Sequence, residues 1–188
     1  YKGRDVTIVD VFEGVGKHST GNMSEKELST VARQCEQSGV EMVSVIANLS
    51  GRGNLLSRDE KERDKCCRCV TRSIEIASTL GVGATLLHPG QLPADGTYQE
   101  AWDDLRDALK KLAVLAEERQ VAIGLENVWN KFLLSPDEAV RFGQACKLNF
   151  LSATQPCHGT PQPVRADVTV RRGQARDRIF ASQAQACQ

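Results

Sequence analysis

The sequence predicts an α/β fold built on a parallel sheet, and three observations carry that prediction. Short apolar runs begin at positions 6, 42, 84 and 121, a spacing that holds one strand and one crossover helix each. The runs are apolar almost throughout, as strands covered on both faces are, rather than alternating. Between them lie amphipathic stretches with explicit helix start signals.

Val6-Thr7-Ile8-Val9 is the first strand. Ser24-Glu25-Lys26-Glu27 then reads as a capping box, in which the serine oxygen accepts from one free amide and the glutamate reaches back to another. Gly39 stands where that helix should end. Met42 to Ala47 is the second strand, and Ser57-Arg58-Asp59-Glu60 reads as a second capping box. The helix over about 57–80 puts Cys66, Val70, Ile74, Ala77 and Leu80 on one face, with Gly81 as its cap. Ala84 to Leu87 is the third strand. The next helix carries Leu105, Leu109, Leu112 and Ala116 at spacings of three and four, and Val121 to Leu125 is the fourth strand. Ser135-Pro136-Asp137-Glu138 opens the last helix, with Pro136 at the first helical position, where its missing amide costs nothing. Such alternation leaves two architectures, an open doubly wound sheet or an arc of a (β/α)8 barrel. A complete barrel needs eight units in about 250 residues, and the sequence offers about four.

The chain has 188 residues, 24 basic and 24 acidic, enough for one core. The zero net charge is unevenly shared. Residues 1–146 carry 18 basic and 22 acidic side chains, whereas residues 147–188 carry six and two. A boundary is therefore expected near 146, with a fold-bearing domain over 1–146 and an unpatterned, irregular basic tail over 147–188 that is poorly ordered. Arg165, Arg171, Arg172, Arg176 and Arg178 could touch nucleic acid, but only Phe180 is near them for base stacking. The balanced charge also argues against nucleic acid or a membrane surface as a partner. No apolar run approaches the roughly 18 residues that span a bilayer. The seven cysteines are odd in number, three of them crowded into 66–69. With no signal peptide at the start, they point to the cytoplasm. Cys66 and Cys69 lack a second pair at zinc spacing and read as small core side chains.

In parallel α/β folds chemistry collects at the carboxyl ends of the strands. Here those ends carry Asp10 and Glu13, Asn48, His88, and Glu126 with Asn127. Glu126 stands out, because a carboxylate at such a rim is expensive to desolvate without a cation or a hydrogen-bonding substrate. Asn127 and Trp129 follow as an amide and an aromatic wall for a substrate. His88 could bind a metal or polarise a substrate hydroxyl, and Pro89-Gly90 turns tightly after it. Gly51-Arg52-Gly53-Asn54 fits neither a phosphate loop nor a dinucleotide fingerprint and reads as a mobile rim loop. His18 reads as exposed loop, and His158 has no nameable partner.

The stretch Gly124-Leu125-Glu126-Asn127-Val128-Trp129-Asn130-Lys131-Phe132-Leu133-Leu134-Ser135-Pro136-Asp137-Glu138, with Ala139 to Phe142 after it, resembles a strand and helix of the xylose isomerase-like sugar phosphate isomerases and epimerases. Upstream, Asn54-Leu55-Leu56-Ser57, Arg63, Ile74 to Gly81 and Pro89-Gly90 are similar to the same family. The resemblance covers about residues 5–142. It implies a TIM barrel, here a partial one of about four to five βα units, and a sugar or sugar phosphate as substrate. It also implies a divalent metal, Mn2+ or Mg2+, held by Glu, Asp, His and Glu, with two glutamates exchanging a proton beside the sugar carbonyl. Glu126 falls at the first metal ligand and acid/base position. Asp167 and His158 lie in no matching motif, so three of four ligands are not found. The chain is thus expected to be a barrel truncated at both ends, with out-of-frame or replaced sequence after 146, and incomplete or inactive by itself. Two alternatives stand beside this. Leu87-His88-Pro89-Gly90 and Leu125-Glu126-Asn127 also resemble zinc-dependent apurinic endonucleases, which would bring Zn2+ and DNA repair. A non-catalytic fragment would self-associate to cover open sheet edges, as a homo-oligomer.

Overall fold

Each of the four apolar runs becomes a strand. The computed structural model describes residues 6–10, 22–46, 53–127, 131–146, 149–154 and 178–183. The order is β1 (Val6–Asp10), α1 (Glu25–Gln37), β2 (Glu41–Ile46), α2 (Glu60–Leu80), β3 (Ala84–Leu87), α3 (Tyr98–Glu118), β4 (Ala122–Asn127), α4 (Pro136–Cys146), β5 (Asn149–Thr154) and β6 (Arg178–Gln183). The strands form one sheet in the order β1-β2-β3-β4-β6-β5, with every pairing parallel.

Two features separate the architectures that the sequence left open. Strands β1 to β4 are neighbours in chain order, and α1 packs on α2, α2 on α3 and α3 on α4. A doubly wound sheet reverses strand order and sends helices to both faces. Sequential strands under one consecutive layer of helices form an arc of a (β/α)8 barrel, so the fold is a partial TIM barrel. The arc departs from sequential order at one place, where β6 sits between β4 and β5. The sequence reading expected no strand after 146, yet two form. Neither is an apolar run, since Asn149–Thr154 and Arg178–Gln183 mix polar with apolar residues, and the ladder with a neighbouring strand is what holds them. Of residues 147–188 these two strands alone are described, so Arg165, Arg171, Arg172, Arg176, Asp167 and His158 lie outside the described residues.

The helix faces expected from periodicity are the buried ones. Cys66, Cys69, Val70, Ile74, Ala77 and Leu80 of α2, and Leu105, Leu109, Leu112 and Ala116 of α3, all join the core. Cys66 and Cys69 are core side chains, as their helical setting implied. Ser73 and Thr85 bury their hydroxyls together at 2.7 Å, a polar tie between α2 and β3. No helix among the described residues is long and apolar enough to cross a membrane.

The start of α2 differs from its expected place. The capping residue is Asp59, whose carboxylate accepts from the Lys61 amide at 2.9 Å, and the helix begins at Glu60. Ser57 instead accepts from the Asp59 amide at 3.1 Å, one turn before the helix. A carboxylate outcompetes a hydroxyl here because the helix amino end favours negative charge. Helix α1 has its expected capping box, Ser24 with Glu27, and α3 has one at Thr97 with Glu100. Gly81 closes α2 at φ +70°.

Gly53 adopts φ +87°, and a Cβ there would stand 2.1 Å from the Glu62 carbonyl oxygen. Gly53→Ala is therefore expected to lower the stability of the chain by about 2 kcal/mol or more, read as a fall in the urea midpoint. Burial pushes the Cys146 thiol up from 9.0 to about 11. A thiol held protonated in the folded state stabilises it below pH 9, and that contribution disappears as pH rises towards 11. The melting temperature should fall across pH 9 to 11, and Cys146→Ala should remove part of that slope.

Candidate functional site

The register between β3 and β4 decides what the rim presents. Ser73 reaches Thr85 from α2, so Thr85 faces the helices. Side chains alternate along a strand, and Leu87 shares that face. Both are buried, while Ala84 and Leu86 are partly exposed. Thr85 pairs with Ile123 and Leu87 with Leu125, so Ile123 and Leu125 also face the helices, and both are fully buried. Gly124 and Glu126 therefore lie on the opposite face, the inner face of the barrel arc. Glu126 is partly buried at its carboxyl end.

His88 is the residue after β3, one step beyond the Leu87–Leu125 pair and thus beside Glu126. These two expected site residues thus stand at the ends of adjacent strands. The His88 ring Nδ1 accepts from the Gly90 amide at 3.0 Å. Asn127 closes β4 and pairs with Gln183 of β6, as Glu126 pairs with Ser182. Asp10 ends β1 and pairs with Ile46, separated from β4 by two strands. Trp129, Glu13, Asn48 and His18 lie outside the described residues.

Two rim loops are more firmly held than the sequence suggested. The reading of Gly51 to Asn54 as a mobile loop is corrected for its described half, Gly53 and Asn54, because Asn54 is bonded through both side-chain atoms, to Gln91 and to Leu56. Residues 131–135, which lead into α4, are held by Tyr98 and Glu138. The Tyr98 hydroxyl donates to Glu138 Oε1 and accepts from the Leu133 amide at 3.0 Å. Glu138 Oε2 accepts from the Leu134 amide at 2.7 Å, and the Glu138 amide donates to Ser135 Oγ at 3.1 Å. The expected capping box at Ser135 is thus half kept, with the glutamate reaching Leu134. Burial, and then the Glu138 carboxylate, push the Tyr98 hydroxyl well above the usual phenol range, so it stays protonated. Its ring stacks on Phe132 at 4.8 Å, and Trp102 meets Phe142 edge-on at 4.8 Å. Lys131 and Leu133 are left-handed at φ 56° and 54°, a conformation that costs non-glycine residues and needs outside support. Sequence reasoning missed Asn54, Tyr98 and this role of Glu138. The Thr97-x-x-Glu100 box before the α3 leucines was the available signal for Tyr98.

A divalent metal of the kind the resemblance implied needs several converging ligands. Among the described residues no group of three His, Cys, Asp or Glu side chains could hold one. The described residues thus supply Glu126 as a carboxylate at the rim and do not by themselves fit a four-ligand metal site.

The match to the xylose isomerase-like TIM barrel family spans residues 6–181. The chain belongs to this family. Among solved structures it resembles a D-tagatose 3-epimerase-like protein, with a TM-score of 0.60 and 23% identity over 73% of this chain and 51% of that one. It also resembles an L-ribulose 3-epimerase, at 0.61 and 17% over 81% and 50%, and a xylose isomerase domain protein from Planctomyces limnophilus, at 0.57 and 17% over 74% and 50%. Identities this low speak for the fold. The chain spans about half the length of these structures. A short stretch of 28 residues is 79% identical to the dihydroxy-acid dehydratase of Pelagibacter ubique (strain HTCC1062), covering 15% of this chain and 5% of that protein.

Tyr98→Phe keeps the ring stack but removes the hydroxyl that serves Leu133 and Glu138. A loss of about 2 kcal/mol is expected, measured by urea unfolding with an unchanged denaturant slope.

Proposed function

We propose that the chain carries an isomerase- or epimerase-type site for a sugar or sugar phosphate, of the class in which a metal assists proton transfer beside a ketose carbonyl, and that the site is incomplete in this chain. The observation that supports this most directly is Glu126, a partly buried carboxylate on the inner face at the end of β4, next to His88. The epimerases among the similar structures support the same class.

Glu126 would take the proton from the carbon next to the carbonyl and return it. His88 would bond a hydroxyl, and Asn127 and Trp129, next along the chain, would add an amide and a wall. Positioned acid–base groups accelerate such a step by about 10²- to 10⁴-fold. Mn2+ or Mg2+ would stabilise the enediolate in a complete site, but the described residues present one carboxylate for it, so no step of this chain is drawn through the metal. The cysteine pattern, odd in number with three crowded into 66–69, supports a reducing, cytoplasmic setting.

The test is exchange of the proton beside the carbonyl of D-tagatose or L-ribulose with solvent deuterium, followed by NMR. Slow exchange is expected, falling about 100-fold in Glu126→Gln. Ketose shifts at the Glu126 and Asn127 amides without exchange would mark the site as binding but incomplete. Neither shifts nor exchange, with or without Mn2+, would overturn the proposal.

A further inference from the structure

Asn54 ties the loop after β2 to the loop after β3. Its side-chain Nδ2 donates to the Gln91 carbonyl at 2.7 Å, and its Oδ1 accepts from the Leu56 amide at 2.9 Å. The adjacent Leu55 amide donates to the Pro89 carbonyl at 2.9 Å. The cross-loop bonds thus land on residues 89 and 91, immediately after His88. Gly90 lies between them at φ +110°, so close that a Cβ would stand 1.9 Å from Asn54 Oδ1. Only glycine fits there. The Gly90 amide, aimed by these contacts, donates to His88 Nδ1 at 3.0 Å.

A neutral imidazole carries one proton, so an Nδ1 that accepts leaves the proton on Nε2. Histidines that bind metals through Nε2 are held the other way, with Nδ1–H donating to a carbonyl or carboxylate. His88 has the opposite polarity.

We infer that Asn54 is a positioning residue: by fixing Pro89 to Gln91 it holds His88, at the end of β3, as the Nε2–H tautomer. That tautomer separates the two enzyme classes that the sequence left open, because a zinc site would need a lone pair from this ring. Asn54 acts through Gly90 and touches no reacting atom.

The experiment is a long-range proton–nitrogen correlation on the full chain with ¹⁵N-labelled histidine, at pH 8, where a free imidazole is neutral. His88 is assigned through His88→Gln. A single Nε2–H pattern is expected in the unaltered chain. Asn54→Asp keeps the oxygen that serves Leu56 and removes the donor to Gln91, so the two nitrogen shifts of His88 should move towards the averaged pattern of free imidazole. An Nδ1–H pattern in the unaltered chain overturns the inference, and that readout needs no variant to fold. An Asn54→Asp pattern identical to the parent overturns the role of Asn54.

Discussion

The parallel pairing of β3 with β4 is the constraint on which the rest of the structure depends. Four residue pairs, Ala84–Ala122 to Leu87–Leu125, fix which side chains enter the helix layer and which face inward. Ile123 and Leu125 go under the helices with Thr85 and Leu87, and Gly124 and Glu126 turn inward. A slip of one residue would exchange these sets, burying Glu126 against α2 and α3 and exposing Leu125. The Ser73–Thr85 hydrogen bond adds specificity to that choice, since it satisfies the buried Thr85 hydroxyl while Ser73 also reaches the Val70 carbonyl at 3.0 Å.

Once register places Glu126 and His88 side by side, the loops decide how they are presented. Both loops solve the same problem, which is holding irregular backbone without a ladder to satisfy it. Asn54 imitates backbone, donating across the gap to Gln91 of the other loop and accepting from Leu56 of its own. Tyr98 and Glu138 do the same for Leu133 and Leu134, from two different helices. The left-handed Lys131 and Leu133 and the close approach at Gly90 are tolerated because these side chains and the aromatic cluster of Tyr98, Trp102, Phe132 and Phe142 hold them.

Much of the arc was legible from the residues. The four strands, the buried faces of α2 and α3, the capping box at Ser24 and the serine half of the one at Ser135 follow from local chemistry, which the neighbouring sequence contains in full. The start of α2 was misplaced by three residues because Ser57 and Asp59 both offer capping oxygens, and the carboxylate won at the helix amino end. The rim loop at Asn54 read as mobile because its partners, Pro89 and Gln91, are more than thirty residues away. Tyr98 was overlooked for the same reason, with its partners at 133 and 138. Strands β5 and β6 gain order from pairing with each other and with β4, and their own six residues show no period.

The sequence by itself determined the α/β class, the one-sided helices and the presence of Glu126 and His88 at strand ends, because periodicity, caps and apolar runs are properties of contiguous residues. Tertiary structure decided that the helices form a single layer over sequential strands, that β6 separates β4 from β5, and that Glu126 faces inward next to the end of β3. These outcomes depend on register and on hydrogen bonds between residues distant in the chain, and no local window of sequence holds both partners.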